Sequence, residues 1–203
     1  MALQTNTQNF TSTVAQEIKE NKFPGGNYLL DAYNILKNIV GIKSKQIVGD
    51  LGAGGAAYFT LQSAKLVGDQ GQVYAVDVLK NVLSTINSKA QLAGLYNVKT
   101  VWSNLEIYGA AKIPEASLDH ALLVNILFQS KKYPEIIKEA VRLLKPGGQL
   151  TIIDWSDMSP NFAPNDALQL DKEEVINIAQ NLSLSLQQDF QAGTYHFGLI
   201  FIK

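Results

Sequence analysis

The sequence contains no cysteine among its 203 residues, and this absence removes several kinds of chemistry. It excludes disulfide bonds, zinc sites with cysteine ligands and a cysteine nucleophile. Charge is also scarce, because charged residues make up 17% of the chain and the net charge is −1. A domain that binds nucleic acid usually carries a positive surplus on its surface. Nucleic acid is therefore not a partner that we expect.

Long apolar runs are absent as well. The longest, residues 121–128, is interrupted by Asn125 and is far too short to span a bilayer. Residues 1–10 are mostly polar and do not form a cationic, apolar signal sequence. These features predict a cytoplasmic protein without a membrane span. The sequence carries no pattern that indicates an oligomeric state.

The stretch around which the chain is organised runs from Ile47 to Ala56, where an apolar strand leads into a glycine-rich turn. A helix is predicted directly after it, over residues 57–67. Gly52 and Gly54 permit backbone conformations and close approaches that a Cβ atom would block. A strand, a glycine turn and a helix in this order form a nucleotide-sized site, because helix amides converge beside the strand's carboxyl end. The turn is therefore the first candidate for a cofactor site.

Apolar strand patterns recur along the chain, separated by segments with helical spacing. Five strands are predicted, at residues 46–51, 72–76, 98–102, 120–125 and 149–154. Helices are predicted over 57–67, 81–93 and 134–144, and Lys145–Gly148 is predicted to form a tight turn into the fifth strand. Strands that alternate with helices in this way form a parallel sheet with right-handed crossovers.

The two ends of the chain break this alternation. A helix opens at Asp171, and residues 182–186 and 195–202 then read as strands with a short turn at 191–194 between them. Strands joined so briefly must be antiparallel. At the other end, a helix is predicted over residues 11–21 and a loop over 23–27. A second helix is predicted from four apolar residues at helical spacing, Leu29, Tyr33, Leu36 and Val40.

Two interpretations fit the glycines of the turn. Residues 52–57 satisfy the dinucleotide fingerprint GxGxxG/A, which is weak on its own. The same stretch, with Asp50 followed by Gly52, Gly54 and Ala56, resembles motif I of the class I S-adenosylmethionine (SAM)-dependent methyltransferases. The resemblance continues through Tyr58–Leu61, Val73–Asp77 and Leu144–Gly148. The subgroup that looks most similar contains the small methyltransferases related to the quinone-biosynthesis and arsenite enzymes.

The resemblance implies an α/β, Rossmann-like fold with a mostly parallel seven-stranded sheet, an antiparallel C-terminal hairpin and N-terminal helices. The strand order it implies is 3-2-1-4-5-7-6. It further implies one methyltransferase domain over residues 1–203, with a helical cap at 1–45 and the SAM-binding core at 46–203. The implied activity is methyl transfer from SAM to a small-molecule acceptor, with S-adenosylhomocysteine as the product. Arsenite is not an expected acceptor, because the arsenite enzymes hold it through cysteine thiols.

Asp77 closes the second strand, where a carboxylate can accept hydrogen bonds from both ribose hydroxyls of a nucleoside. NAD and SAM share this requirement, and a helix N-cap is the structural alternative. By the resemblance, Asp50 anchors the methionine part of SAM or orients the turn. The other expected contacts around the turn and the second strand are Leu51, Gly52, Ala53, Gly54 and Val78. Ala56 replaces the third glycine of the motif, and we expect tighter packing there without loss of binding.

Two asparagines complete the expected cofactor contacts. Asn104 lies where the family often has an adenine-contacting aspartate, and its side-chain carbonyl can accept a hydrogen bond from the adenine amino group. Leu105 would then pack on the base, and a plain turn asparagine is the alternative for Asn104. Asn125 ends the fourth strand at the topological switch point, where its backbone would meet the methionine end of SAM. The prolines of an amine-binding Asn-Pro-Pro-Tyr/Phe motif are missing after Asn125.

The sequence does not identify a catalytic residue, and no metal site is expected. Asn125 stands at the first acidic position of the magnesium-dependent catechol-type methyltransferases, and Asp154 alone does not make a cation site. The two histidines, His120 and His196, lack metal-ligand spacing. A carbon or oxygen acceptor would require a base such as Asp154 or His196. Residues that could line the acceptor pocket, or serve as loop or core, are Asn27, Tyr28, Trp155, Phe162 and Tyr195.

Two other functions remain open at this point. An NAD-binding oxidoreductase would need a catalytic Tyr-Lys pair, and Tyr133 and Lys138 are five residues apart, so they do not supply it. A protein that binds SAM without turnover would keep the fold and lose the activity. The departures at Ala56 and Asn104 are compatible with that third function.

Overall fold

The computed structural model describes residues 29–156 and 170–203. The predicted helix over 11–21, the loop over 23–27 and the candidate pocket residues Asn27, Tyr28 and Phe162 lie outside these ranges. One sheet of seven strands forms the centre of the described structure. Its strands are β1 (Ile47–Leu51), β2 (Gln72–Asp77), β3 (Val98–Trp102), β4 (Leu118–Val124), β5 (Leu144–Trp155), β6 (Ser185–Gly193) and β7 (His196–Ile202).

The strand order is β3-β2-β1-β4-β5-β7-β6, and this confirms the predicted fold class. β1 pairs in parallel with β2 and β4, and the parallel pairing continues from β2 to β3 and from β4 to β5. β7 is antiparallel to both β5 and β6, as the short connection at the end of the chain requires. The order reverses between β1 and β4, and ligands of open α/β sheets bind at the carboxyl ends of the strands at such a point.

In the described part of the chain, four α-helices of ten or more residues connect and cover the strands: α1 (Tyr58–Val67), α2 (Lys80–Leu92), α3 (Tyr133–Leu143) and α4 (Lys172–Asn181). α4 begins at Asp171, whose side chain accepts hydrogen bonds from the backbone N–H groups of Glu173 and Glu174. Apolar side chains of the central strands are buried on both faces of the sheet, in separate clusters. This is the usual reason why parallel strands read as continuous apolar runs.

The N-terminal helical segment differs from the prediction. It is a single α-helical turn, Ala32–Asn34, that continues as a π-helical stretch, Ile35–Ile39. Ile35 and Leu36 of the π-helical stretch are buried in the core, while Tyr33 is 54% exposed. The predicted apolar face, which included Tyr33, was therefore wrong at that position.

Two predicted turns are also part of strands. Lys145–Gly148 belongs to β5, because the Gly147 N–H donates to the Lys203 carbonyl (2.7 Å) and the Lys203 N–H donates to the Gly148 carbonyl (3.0 Å). The hairpin turn lies at residues 194–195, and residues 191–193 extend β6. The backbone at Lys145–Gly148 is bulged within β5, because Gly147 has a φ of 75° and the pairing with β4 shifts register between Leu118 and His120.

Candidate cofactor site at the carboxyl edge of the sheet

The glycine-rich turn after β1 is tied to the end of β2. The N–H groups of Gly52 and Ala53 both donate to the carbonyl of Val76, at 2.8 and 3.0 Å. Gly52 has a φ of +91°, and a Cβ atom built on it would lie 2.1 Å from Ile126 Cδ1. Gly54 has a φ of +64°, and a Cβ atom there would meet no atom within 4 Å. Packing therefore requires glycine at Gly52, whereas the side of Gly54 is open and can admit a ligand.

The end of the turn departs from the sequence expectation. Ala56 stands at the position of the third glycine, but the left-handed residue is the next one, Ala57, with a φ of 59°. Lys89 of α2 stabilises this region, because its ammonium group donates to the carbonyls of Gly55 (2.8 Å) and Ala56 (3.1 Å). The Ala57 methyl is fully buried among Ala53, Leu83 and other small apolar side chains.

Asp50 lies in β1 just before the turn and is 2% exposed. Its Oδ2 accepts a hydrogen bond of 2.5 Å from the Thr60 hydroxyl of α1. Burial raises the pKa of Asp50 to about 6, and the Thr60 bond opposes this shift. The sequence did not identify Thr60 as the partner, although a threonine in the first turn of the helix after the motif is a usable signal.

Asp77, the last residue of β2, joins the turn to the start of α2. Its Oδ2 accepts from the Gly54 N–H (3.2 Å) and its Oδ1 accepts from the Leu79 N–H (2.9 Å). Each carboxylate oxygen keeps a second lone pair, so Asp77 can still accept from a ligand hydroxyl. Asp77 is not the N-cap of α2, since that position is Leu79. Val78 is 54% exposed, and its carbonyl accepts from the indole N–H of Trp102 (2.9 Å).

Asn104 lies beyond β3, two residues after Trp102 and on the same edge as Asp77. Its side-chain carbonyl accepts from the Glu106 N–H (2.9 Å), which is the geometry of an Asx turn. A carbonyl oxygen can accept a second hydrogen bond, so this contact leaves room for an adenine amino group. Leu105 is 5% exposed and packs in the main core cluster.

The carboxyl ends of β4 and β5 meet beside the glycine turn. Asn125 has a φ of 52°, and its N–H donates to the carbonyl of Ile153 (2.8 Å). Asp154 is fully buried, and its Oδ2 accepts from the N–H groups of Leu127 (3.0 Å) and Phe128 (3.4 Å). Burial raises the pKa of Asp154 to about 7, while these backbone donors oppose the shift. Asp154 thus holds the turn Leu127–Gln129 that follows Asn125.

The predicted site residues therefore share one edge of the sheet. One direct hydrogen bond joins Asp77 to Gly54, and Ile126 packs against Gly52, which links the loop after Asn125 to the turn. Within the two described ranges, no cluster of three histidine or acidic side chains has the arrangement of a metal site. The same ranges contain no helix with both the length and the apolar character needed to cross a membrane.

Comparison with known proteins gives consistent results. A demethylmenaquinone methyltransferase of Listeria welshimeri is 32% identical over 109 residues, which are 53% of this chain and 44% of that protein. The chain thus spans less than half the length of this curated relative. A solved SAM-dependent methyltransferase of Aquifex aeolicus is 26% identical and has a TM-score of 0.73, covering 93% of this chain and 97% of that one.

A solved 1,6-didemethyltoxoflavin-N1-methyltransferase of Burkholderia thailandensis shares the fold at 21% identity, with a TM-score of 0.62 over 86% of this chain and 77% of that one. The family match is broader than the alignment with the Listeria relative. Residues 32–181, which include the glycine turn, Asp77 and both asparagines of the site, match the model of the ubiE/COQ5 methyltransferases. The chain belongs to the ubiE/COQ5 methyltransferase family, as the resemblance in its motifs predicted.

Proposed function

We propose that this chain binds SAM at the carboxyl edge of the sheet and transfers its methyl group to a small-molecule acceptor. The observation that carries the proposal is Asp77, whose two carboxylate oxygens bridge the glycine turn and the start of α2 beside the open side of Gly54. A carboxylate held in this way, at the end of β2, is placed to accept the two hydroxyls of a ribose. The family and the relatives' names supply the direction of the chemistry.

The residues along this edge fit the parts of SAM in order. Asp77 would hold the ribose, with Val78, Asn104 and Leu105 around the adenine. Asp50 would act on the methionine part, with backbone from Leu51, Gly52, Ala53, Gly54 and Asn125 beneath it. The open side of Gly54 fits a group that lies directly on the backbone, because no side chain occupies that space. Ionised Asp50 would also offset the positive charge that SAM carries and S-adenosylhomocysteine lacks.

SAM supplies a sulfonium methyl that is already activated for transfer. The chain's own residues therefore contribute placement more than bond chemistry. Two hydrogen bonds fix the turn on which the cofactor would lie: Asp77 accepts from the Gly54 N–H, and Lys89 donates to the Gly55 carbonyl. Asp154 fixes the loop between cofactor and acceptor through the N–H groups of Leu127 and Phe128. Such fixed geometry favours an in-line approach of the acceptor in a site that excludes water.

The acceptor belongs to the proposal as a class. The Listeria relative is named for demethylmenaquinone, and the Burkholderia structure contains bound 1,6-didemethyltoxoflavin together with S-adenosylhomocysteine. Both names describe small molecules. We propose a small-molecule acceptor for this chain too, and the net charge of −1 supports this over nucleic acid.

The test is a calorimetric titration of the purified protein with S-adenosylhomocysteine, and with NAD in parallel. The wild type is expected to bind S-adenosylhomocysteine and not NAD. Asp77→Ala removes two charge-assisted hydrogen bonds to the ribose and is expected to weaken binding by about 100-fold or more. Asp69→Asn is the matched control, because Asp69 is exposed and lies at the opposite end of β2. Binding of NAD without binding of S-adenosylhomocysteine would refute the proposal.

A further inference from the structure

A second cleft lies at the amino edge of the sheet, where β1, β4 and β5 begin. It has a volume of about 400 Å³, which is within the usual range for small-molecule sites. Gln149 in this cleft and Asp154 at the carboxyl edge are five residues apart on β5, or roughly 16 Å. The amino-edge cleft is therefore separate from the proposed cofactor site. Six polar side chains line it: Lys43, Gln46, Asp119, His120, Lys145 and Gln149.

Asp119 is the acidic residue of the cleft, and both of its carboxylate oxygens are engaged within the fold. Its Oδ2 accepts from the Ile47 N–H (2.7 Å), and its Oδ1 accepts from the ammonium group of Lys145. An ammonium group has three N–H donors, and the described residues provide no second acceptor for Lys145. Asp119 therefore holds Lys145 at the cleft and leaves donors of this lysine available to a ligand.

The other lysine and the two glutamines also have donors to spare. The ammonium group of Lys43 forms no hydrogen bond or ion pair with any residue in 29–156 or 170–203. The side-chain carbonyl of Gln46 accepts from the Lys43 backbone N–H (2.6 Å), and its NH₂ group has no acceptor within the same ranges. The amide of Gln149 is likewise unpaired there. The available groups are thus N–H donors on three separate segments of the chain.

His120 adds no charge to this set. Its Nε2 lies 3.1 Å from the Gln46 side-chain carbonyl, which can only accept, so Nε2 carries the proton. Burial lowers the pKa of His120 to about 4, and the imidazole is neutral at physiological pH. The two ammonium groups of Lys43 and Lys145 then face the single carboxylate of Asp119. The cleft has a positive surplus, although the whole chain has a net charge of −1.

This chemistry restricts what the cleft can bind. Cationic ligands would be repelled by the two lysines, and an apolar ligand would leave the donors unpaired. Oxyanions accept from ammonium and amide N–H groups in short, charge-assisted hydrogen bonds, and lysine is a common phosphate ligand. A carboxylate offers two oxygens in one plane and a single charge. A phosphate group offers at least three oxygens and up to two charges, which suits donors that come from three segments.

We propose that the amino-edge cleft binds a phosphate group, with Lys43 and Lys145 as its charged ligands and Gln46 and Gln149 as further donors. The volume of the cleft admits either inorganic phosphate or a phosphate monoester with a small organic part. The phosphate group is the chemistry that both share. This inference does not depend on methyl transfer, because none of these residues belongs to the expected cofactor contacts.

The first experiment uses the fact that the chain has only two histidines. Imidazole signals of the ¹⁵N-labelled full-length protein are recorded at pH 7 and constant ionic strength, while inorganic phosphate, ribose 5-phosphate, acetate or ribose is added. His120→Gln assigns the two sets of signals. Both phosphates are expected to shift the His120 signals to saturation, because an anion beside the lysines changes the electric field at this ring. His196 lies at the carboxyl edge, so its signals should stay unchanged.

The four probes separate the possible ligands. Ribose is expected to cause no shift, and acetate no saturable one at the concentrations that saturate phosphate. Tighter binding of ribose 5-phosphate than of inorganic phosphate would assign the site to a monoester, and equal binding would assign it to free phosphate. The His120 response should persist in the presence of S-adenosylhomocysteine. No saturable shift with either phosphate, an equal response to acetate, or competition by S-adenosylhomocysteine overturns the inference.

The second experiment tests the lysines with a matched control. Lys43→Gln removes an ammonium group that has no partner among the described residues, so the Tm is expected to stay equal. Its phosphate affinity should fall by at least about tenfold. Lys112→Gln makes the same change of charge at an exposed position outside the cleft, and its phosphate affinity should stay within about twofold of the wild type.

Equal weakening in the Lys43 and Lys112 variants would show that phosphate responds only to net charge, and this result also overturns the inference. Binding of S-adenosylhomocysteine is expected to be unchanged in both variants. If phosphate fails to bind while S-adenosylhomocysteine binds the wild type normally, the proposed function stands without this second site. The two proposals can therefore fail separately.

Discussion

Gly52 offers the most direct check on the geometry of the glycine turn. Its φ of +91° lies in the left-handed region, where an L-residue with a Cβ costs about 1–2 kcal/mol. A Cβ atom at this position would also lie 2.1 Å from Ile126 Cδ1, 3.0 Å from its Cγ1 and 3.2 Å from its Cβ. Ile126 would have to move against the core, and overpacking of this kind costs about 1–3 kcal/mol. Gly52→Ala should therefore lower the free energy of unfolding by about 2–5 kcal/mol.

Gly54→Ala is the matched control, because Gly54 has a φ of +64° but open space around its Cβ position. It should lose only the backbone part, about 1–2 kcal/mol, and the difference between the two variants measures the overlap with Ile126. Urea unfolding followed by circular dichroism gives both values. For S-adenosylhomocysteine the open side of Gly54 is the proposed contact, so Gly54→Ala should impair binding despite its milder effect on stability. Equal losses of stability in the two variants would show that Ile126 does not restrict Gly52, and the argument would fail.

Two buried polar groups allow further predictions. Glu139 is fully buried and accepts hydrogen bonds from Arg142 and from two backbone N–H groups. Glu139→Ala leaves Arg142 without this partner and should lower the free energy of unfolding, measured in urea, by about 3–5 kcal/mol. A loss below about 1 kcal/mol would contradict this. Burial lowers the pKa of His120 to about 4, so the unfolded chain binds its proton more tightly. The contribution of neutral His120 to the free energy of unfolding should be fully present above pH 6.5. It should fall by about 1.4 kcal/mol per pH unit as the pH drops toward 4. The difference between wild type and His120→Gln across that range isolates this slope, and a difference that does not vary with pH would refute it.

The parallel sheet and its antiparallel end were predictable from the residues because local signals and long-range packing agree there, whereas the strand order was implied by the family resemblance. Apolar strands at regular intervals and the glycines after β1 permit few topologies once crossovers are right-handed. The short connection between β6 and β7 then requires an antiparallel pair. The same signals place Asp50, Asp77 and Asn125 on one edge, since the carboxyl ends of parallel strands meet there. The resemblance to a family added the identity of the cofactor, which the residues alone left open between NAD and SAM.

The predicted position of the hairpin turn was wrong because Gly193 is required for close packing and not for the turn. Gly193 was assigned to the turn, but it ends β6. A Cβ atom on Gly193 would lie 3.1 Å from Leu30 Cδ2 and 3.3 Å from the Leu29 carbonyl. Glycine is needed there because the N-terminal segment approaches closely, and not because the backbone reverses. A contact from the far end of the chain cannot be read from the sequence around Gly193.

In the glycine turn too, a contact from another part of the chain could not be predicted from the local sequence. The motif drew attention to Ala56, yet the left-handed residue is Ala57. An alanine is disfavoured in that conformation, and its burial together with the two hydrogen bonds from Lys89 compensates. Lys89 lies in the following helix, so a motif read along the turn alone does not include it. Tertiary contacts, rather than the local glycine pattern, determine where the strained residue is placed.

The buried acids and the buried histidines of the sheet have opposite effects on the pH dependence of stability, and this has a functional consequence. Burial raises the pKa of Asp50 to about 6 and of Asp154 to about 7, so their contribution to stability is lost as the pH rises through those values. Burial lowers the pKa of His120 and His196 to about 4, and their contribution is lost as the pH falls. Near pH 7 the buried, ionised carboxylate of Asp50 therefore lowers the stability of the fold. A cation bound beside Asp50 reduces this destabilisation, whereas a neutral ligand does not. With Asp50 in its proposed place beside the methionine part of SAM, the same burial would favour a positively charged sulfonium over its neutral thioether product.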